Sequence, residues 1–339
     1  MVRHPPIVTT SGATASRREL LGTGLILVAG SLLTGEGARA AEPPAPADAG
    51  PADARLLPGF KVQRVKTRGA EIYTVVGGSG PPVLLLHGAP LTHLSWYRVA
   101  PELAKRYTVV VPDLRGYGDS SKPPDGENHV NYSKRAMALD NVEVMRHLGF
   151  ERFAVVGHDR GGRVAHRLAL DHPQVVTRMS VLDIVPTHYL YTHVTKAFVD
   201  AYFHWFLYIR PAPFPENILN ADIPGNFGRN PSPDLRAEYL RVYSNPAAVH
   251  GMCEDYRAGA SIDLEHDRAD VDRKVEVPTL VVWGENGVVG RRPENPLDVW
   301  RERASDVRGT AVDAGHFLVE ERPTETLDLL AGFLAAARQ

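Results

Sequence analysis

The chain has 339 residues, and its 38 Lys and Arg against 40 Asp and Glu leave a formal charge of −2. That balance offers no excess of cations for nucleic acid or an anionic membrane surface. Cys253 is the only cysteine, which excludes an internal disulfide. No Cys and His pattern at ligand spacing marks a metal centre.

The first 40 residues read as a signal peptide. Ser16-Arg17-Arg18-Glu19-Leu20-Leu21 is a twin-arginine pattern, and a modest apolar run follows from Leu20 to Leu33. Ala38-Arg39-Ala40 offers a small-residue cleavage site. The run is short of the roughly 20 residues that a membrane span needs. The paired arginines point to the Tat route of bacteria and to the periplasm or the medium. Residues 41–57, rich in Pro, Ala and Asp, read as a flexible linker.

From Phe60 the chain alternates strand and helix patterns. Phe60 to Thr67 and Ala70 to Val76 predict a hairpin around Arg68-Gly69. Val83 to Leu86 is a continuous apolar run, as for a strand covered on both faces. His87-Gly88-Ala89-Pro90 follows, small enough for the Ala89 N–H to face a ligand oxygen; His87 is read as a brace beneath the loop. Trp96 to Lys105 predicts a helix, and Tyr107 to Val111 a strand. Asp113 and Arg115 in the next loop are read as locking groups. Tyr132 to Leu148 has helical apolar spacing.

The stretch Gly157-His158-Asp159-Arg160-Gly161-Gly162-Arg163 lies between a strand pattern and a helix pattern. It is a nucleophile elbow with Asp in the place of Ser. Glycines allow the sharp turn, and the helix N-terminus favours the carboxylate. An N-capping role for Asp159 is the plainer alternative. A strand from Arg178 to Leu182 ends at Asp183. From 186 to 275 the strand signals stop and aromatic residues gather, which predicts a helical cap. Strand signals return at Val277 to Trp283 and Thr310 to Val312, the latter leading to Gly315-His316-Phe317.

Together these predict an α/β-hydrolase fold: a mostly parallel sheet with helices on both faces, its core at 58–185 and 276–339. The expected triad is Asp159 as nucleophile, Asp183 as acid and His316 as base. The loop after Trp283 offers Glu285 and Asn286 but no Asp, which favours Asp183. An Asp nucleophile attacks saturated carbon and forms an alkyl ester, a chemistry suited to dehalogenation and epoxide opening. Backbone N–H groups of Ala89 and Arg160 would hold the oxyanion of the second step, each worth roughly 3 kcal/mol. Arg160 and Arg163 oppose the helix dipole. Their expected purpose is to clamp a substrate carboxylate, against the alternative of pairing with nearby Asp or Glu.

With Leu182-Asp183-Ile184-Val185-Pro186, Phe203-His204-Trp205 and Met252-Cys253-Glu254-Asp255-Tyr256-Arg257-Ala258-Gly259 added, the chain resembles the fluoroacetate (haloacetate) dehalogenases from about Phe60 to its end. The resemblance implies that His204, Trp205 and Tyr256 bind the departing halide; all three side chains carry donors. Members often have Phe at the position of Ala89, and the stretch from Leu219 to Asp234 is shorter here. An epoxide hydrolase is the main alternative, and a receptor on a decayed hydrolase fold the non-enzymatic one. The expected partners are a small halocarboxylate, water and the Tat export machinery, with no nucleic acid, cofactor or metal; a homodimer is left open. Replacing Arg17 and Arg18 together by Lys should retain uncleaved precursor inside the cell, because Tat recognition reads the pair. Cell fractionation with N-terminal sequencing checks this; normal export and processing of the double variant contradicts the Tat assignment.

Overall fold

The computed structural model describes residues 52–336. The twin-arginine segment, the cleavage site and the start of the linker lie outside them. Eight strands form one sheet: β1 (Lys61–Lys66), β2 (Glu71–Gly78), β3 (Pro82–Leu86), β4 (Thr108–Pro112), β5 (Phe153–His158), β6 (Val176–Leu182), β7 (Thr279–Gly284) and β8 (Val307–Val312). Their order is β1-β2-β4-β3-β5-β6-β7-β8. β1 pairs antiparallel with β2, in a hairpin that brings Lys66 opposite Glu71, and β2 runs antiparallel to β4. Every later pairing is parallel. β3 and β5 are buried along nearly their whole length, which is why they read as unbroken apolar runs.

The chain leaves β3 toward β4 on one side and returns to β5 on the other. The carboxyl ends of β3 and β5 therefore flank a switch point, where open α/β sheets hold their ligands. Before the sheet lies α1 (Ala52–Leu56), and after β3 comes α2 (Ala100–Leu103). The long helices α3 (Lys134–His147) and α4 (Arg160–Asp171) follow β4 and β5 and pack on one another. The α3 start is capped by Ser133, whose hydroxyl accepts from the Ala136 N–H.

Between β6 and β7 the described chain runs through eight helices and no strand: α5 (Thr187–Thr192), α6 (Lys196–Ala201), α7 (Phe203–Tyr208), α8 (Phe214–Ala221), α9 (Ile223–Phe227), α10 (Pro233–Tyr243), α11 (Pro246–Ala260) and α12 (Ile262–Ala269). Beyond β7 come α13 (Pro296–Arg301), then α14 (Leu318–Glu321) and α15 (Pro323–Ala335) after β8.

Two expectations change. The linker is not free of structure over its last residues, because Ala52–Leu56 is helical and Leu57 is buried. The cause is tertiary: Asp53 Oδ1 accepts from His93 Nε2 at 2.8 Å, and its other oxygen accepts from the Tyr73 hydroxyl. The helix expected from Trp96 to Lys105 is instead a 3₁₀ turn, His93–Trp96, and the single turn of α2. Pro101 has no N–H to give and fits only a first turn, so the helix starts there rather than passing through.

Candidate active site

The elbow is built by steric necessity. Asp159 has φ 47 and ψ −116, outside the regions favoured by residues with a Cβ. A Cβ on Gly157 would lie 2.3 Å from the Gly161 carbonyl oxygen, and one on Gly161 2.5 Å from the carbonyls of Leu86 and His87. Only glycine lets β5, the turn and α4 approach so closely. Asp183, at the end of β6, also has positive φ, at 50. Strain of this kind persists where surrounding structure enforces it, and here it aims two carboxylates at one place.

His316 lies between them. Its Nδ1 donates to Asp183 Oδ2 at 2.5 Å, and its Nε2 is 3.9 Å from Asp159 Oδ1. Asp183 Oδ1 accepts from the Gly284 N–H at 2.9 Å, which fixes the acid from the next strand. Glu285 is exposed, and Asn286 donates to Asp313 at 2.9 Å, so neither takes part. His158 Nε2 bonds the His316 carbonyl at 2.8 Å. Burial, with His316 beside it, lowers His158 to about 4, so it is the neutral donor that holds the histidine loop. Sequence reasoning gave His158 no role.

The charges follow from this geometry. Burial pulls His316 down, but the hydrogen bond and charge of Asp183, then the charge of Asp159, leave it above its ordinary value. Burial pushes Asp159 up, yet His316 and Arg160 outweigh it and hold the carboxylate ionised. The Ala89 N–H donates to Asp159 Oδ2 at 3.1 Å. The second expected backbone donor, at Arg160, makes no bond to that carboxylate in this geometry. His87 does brace the loop: its Nδ1 bonds the Gly88 carbonyl at 2.8 Å and its Nε2 accepts from the Leu114 N–H at 3.0 Å. Asp113 and Arg115 do lock theirs, on His93 and on Asp140 respectively.

The arginines are buried, but each is partly committed to protein. Arg160 donates from Nε and Nη2 to the Asp255 carboxylate at 2.8 and 2.9 Å, and again from Nη2 to the Asp255 carbonyl at 2.7 Å. Arg163 donates from Nη1 to the Val185 carbonyl at 3.1 Å and to Thr187 Oγ1 at 2.9 Å. Arg160 Nη1 and Arg163 Nε have no partner. A full bidentate fork from Arg160 is therefore ruled out, since Asp255 occupies it. Sequence reasoning missed Asp255 because its partner lies 95 residues away.

The three residues expected to hold a halide converge. The Trp205 and Tyr256 rings meet edge-on at 5.5 Å, and His204 lies 5.9 Å from Tyr256. Arg160 stacks over Tyr256 at 4.3 Å, and Arg163 over Trp205 at 4.8 Å. Burial lowers His204 to about 4, so it presents a neutral ring. Two tyrosines with no assigned role join them. Tyr202 packs 5.9 Å from the His316 ring and Tyr191 5.6 Å from Trp205, each with a buried hydroxyl lacking a partner. One cluster among the described residues has metal-ligand proximity, Asp125 with His250 and Glu254. There His250 bonds Glu216 and Asp125 through its two nitrogens, and Glu216 first among its neighbours raises it to about 9. The imidazolium is itself the cation those carboxylates hold.

An elbow Asp, a His after the last strand and a parallel sheet match a known family model, the α/β-hydrolase fold, over residues 81–323. A fluoroacetate dehalogenase from Burkholderia sp is 45% identical over 295 residues, spanning 84% of this chain and 96% of that protein. The chain belongs to the fluoroacetate (haloacetate) dehalogenase family of the α/β-hydrolase superfamily. It is a hydrolase. The family shares its frame with other chemistries: a soluble epoxide hydrolase from Corynebacterium sp. (strain C12) is 33% identical, over 80% of this chain and 96% of its own length. The crystal structure of an α/β hydrolase from Nostoc sp PCC 7120 is 50% identical, with a TM-score of 0.79 over 82% of this chain and 99% of that one.

A base must be neutral to accept a proton, so with His316 in the expected role turnover should fall as it takes one up. Its raised pKa places that acid limb above pH 6.5. Asp183→Asn removes the largest influences that raise it and leaves burial, which lowers it, opposed by the charges of Asp159 and Glu321. The His316 titration should then move to lower pH than in the wild type, as followed by NMR of the imidazole and by residual rate. An unchanged midpoint contradicts the assignment of Asp183.

Proposed function

We propose that the protein hydrolyses the carbon–halogen bond of short α-halocarboxylates, the haloacetates and fluoroacetate among them. An Asp159 oxygen attacks the halogen-bearing carbon from behind, and the halide leaves with the bonding electron pair toward His204, Trp205 and Tyr256. The product of this step is an ester on Asp159. His316 Nε2 then takes a proton from water, whose oxygen attacks the Asp159 carboxyl carbon. The tetrahedral oxyanion is held by the N–H groups of Ala89 and Arg160. Collapse breaks the ester bond; the departing alkoxide takes the proton left on the attacking oxygen and leaves as the hydroxy acid, Asp159 returns as a carboxylate, and His316 gives its proton to solvent, where it balances the halide. The helical segment from α5 to α12 serves as a cap that keeps bulk water away while charge develops.

The observation that carries this reading is the pair of buried guanidiniums flanking Asp159, each with a nitrogen that no protein acceptor meets. A carboxylate substrate supplies the missing acceptors. Epoxide hydrolysis is the second reading, favoured by the epoxide hydrolase relative and by the unpartnered Tyr202 hydroxyl. A neutral epoxide would leave both arginine nitrogens without an acceptor, a state costly in a buried site.

The test is a kinetic panel of wild type, Arg160→Ala, Arg163→Ala and Arg163→Lys with chloroacetate, chloroacetamide and styrene oxide. A charge-assisted bond contributes about 1.5–3 kcal/mol, so each arginine loss should lower kcat/KM on chloroacetate by roughly ten- to a hundredfold at 1.4 kcal/mol per decade. Arg163→Lys keeps charge but not the planar donor set and should stay impaired. The losses should shrink on the amide. Fast epoxide turnover by wild type, with arginine variants unimpaired on chloroacetate, transfers the protein to epoxide chemistry.

A further inference from the structure

Among the described residues, four buried donors without a partner belong to groups around the Trp205 indole: Arg160 Nη1, Arg163 Nε and the hydroxyls of Tyr191 and Tyr202. Tyr202 also lies against the His316 ring at 5.9 Å, on the side of the base, which leaves Tyr191 as the tyrosine to set beside the two arginines. The two guanidinium carbons lie 5.3 and 4.8 Å from that indole ring, and the Tyr191 ring 5.6 Å from it. α5 explains how the tyrosine arrives there. Thr187 and Tyr191 are four residues apart and share one face of that helix. Thr187 Oγ1 accepts from Arg163 Nη1 at 2.9 Å, so this face is laid against Arg163.

Burial raises the Tyr191 phenol, and Arg160 then Arg163 pull it back, to about 12. The group is therefore an O–H donor at any working pH, close enough to feel both guanidiniums. Guanidiniums offer no acceptor, and the phenol oxygen accepts from neither of them. Donors gathered around one indole with no acceptor among them are complementary to an anion. A carboxylate has about four acceptor sites on its two oxygens; one nitrogen from each arginine leaves room for a third donor.

We propose that Tyr191 is a third donor to the substrate carboxylate, so that α5 and α4 together form a three-point anion cradle with Arg160 and Arg163. The assignment to substrate rests on the halocarboxylate reading above; the cradle itself rests on the donors alone. Tyr191 is thereby a specificity-determining residue that favours acids over amides and epoxides. The ring alone has a packing role on Trp205, and phenylalanine preserves that role while removing the donor.

The test uses the full mature protein and its Tyr191→Phe variant, with acetate and acetamide as unreactive probes in calorimetric titrations. Loss of a charge-assisted bond should weaken acetate binding by about tenfold or more, and acetamide binding by less than about twofold. On chloroacetate the same variant should lose kcat/KM by a similar factor, chiefly through KM. Acetate that binds wild type and the variant equally overturns the proposal, as does equal weakening of acetate and acetamide or no acetate binding to wild type. Wild type that binds acetate tightly through Tyr191 yet releases no halide from any haloacetate leaves the cradle standing and sinks the dehalogenase reading instead.

Discussion

A single buried carboxylate, Asp255, holds the chemistry in place. It takes two nitrogens of Arg160, the ammonium of Lys134 and the Tyr117 hydroxyl, the last at 2.6 Å. Helix α11 is thus tied to α4, to α3 and to the loop after β4 at one point. Burial pushes Asp255 up, but Arg160 and Lys134 overwhelm it and the group stays ionised. Removing one member of such a pair typically costs about 3–5 kcal/mol, because the partner is left charged and alone. This pairing explains how a cation tolerates the first turn of α4, where the helix dipole opposes it. It also rations Arg160: two nitrogens are spent on structure, and Nη1 is left over. Gly259, one turn beyond Asp255, is part of the fit, since a Cβ there would lie 2.9 Å from Arg160 Nη2.

The other constraint is backbone strain at the ends of β5 and β6. Asp159 and Asp183 both have positive φ, a conformation that a non-glycine residue holds only under enforcement. Adjacent parallel strands supply it and set the two carboxylates on either side of His316. The histidine, held through its own carbonyl by His158, bonds Asp183 and faces Asp159, the geometry that the proposed division into an orienting acid and a reacting carboxylate requires. The two carboxylates differ by environment: Asp183 bonds the imidazole and the Gly284 N–H, while Asp159 accepts from the Ala89 N–H and lies in the field of His316 and Arg160.

Much of this was legible in the sequence because it is local. The elbow needs glycines at fixed offsets, and Gly157 and Gly161 are there. Asp183 could be singled out because the loop after Trp283 lacks Asp, and it does bond His316. The helical segment announced itself through its aromatic content and lack of strand pattern. What escaped depends on contacts across the chain. Asp53 looked like linker composition until His93 and Tyr73 claimed it. Arg160 looked free to clamp a substrate because no local rule links it to Asp255. Tyr191 and Tyr202 resembled any core aromatic, and only their unpartnered hydroxyls set them apart. The grouping of His204, Trp205 and Tyr256 came from a family resemblance rather than from spacing, and their rings do cluster.

The proposed chemistry requires Asp159 to act as a covalent nucleophile toward a halocarboxylate. A single turnover with enzyme in excess over chloroacetate, run in heavy-oxygen water, reads this directly. If the ester forms, water attacks the Asp159 carboxyl carbon. The first glycolate released then carries ordinary oxygen from Asp159, and the heavy atom is found in the peptide containing that residue. Heavy oxygen appearing at once in the product with none in the protein, or no chloride released at all, contradicts it.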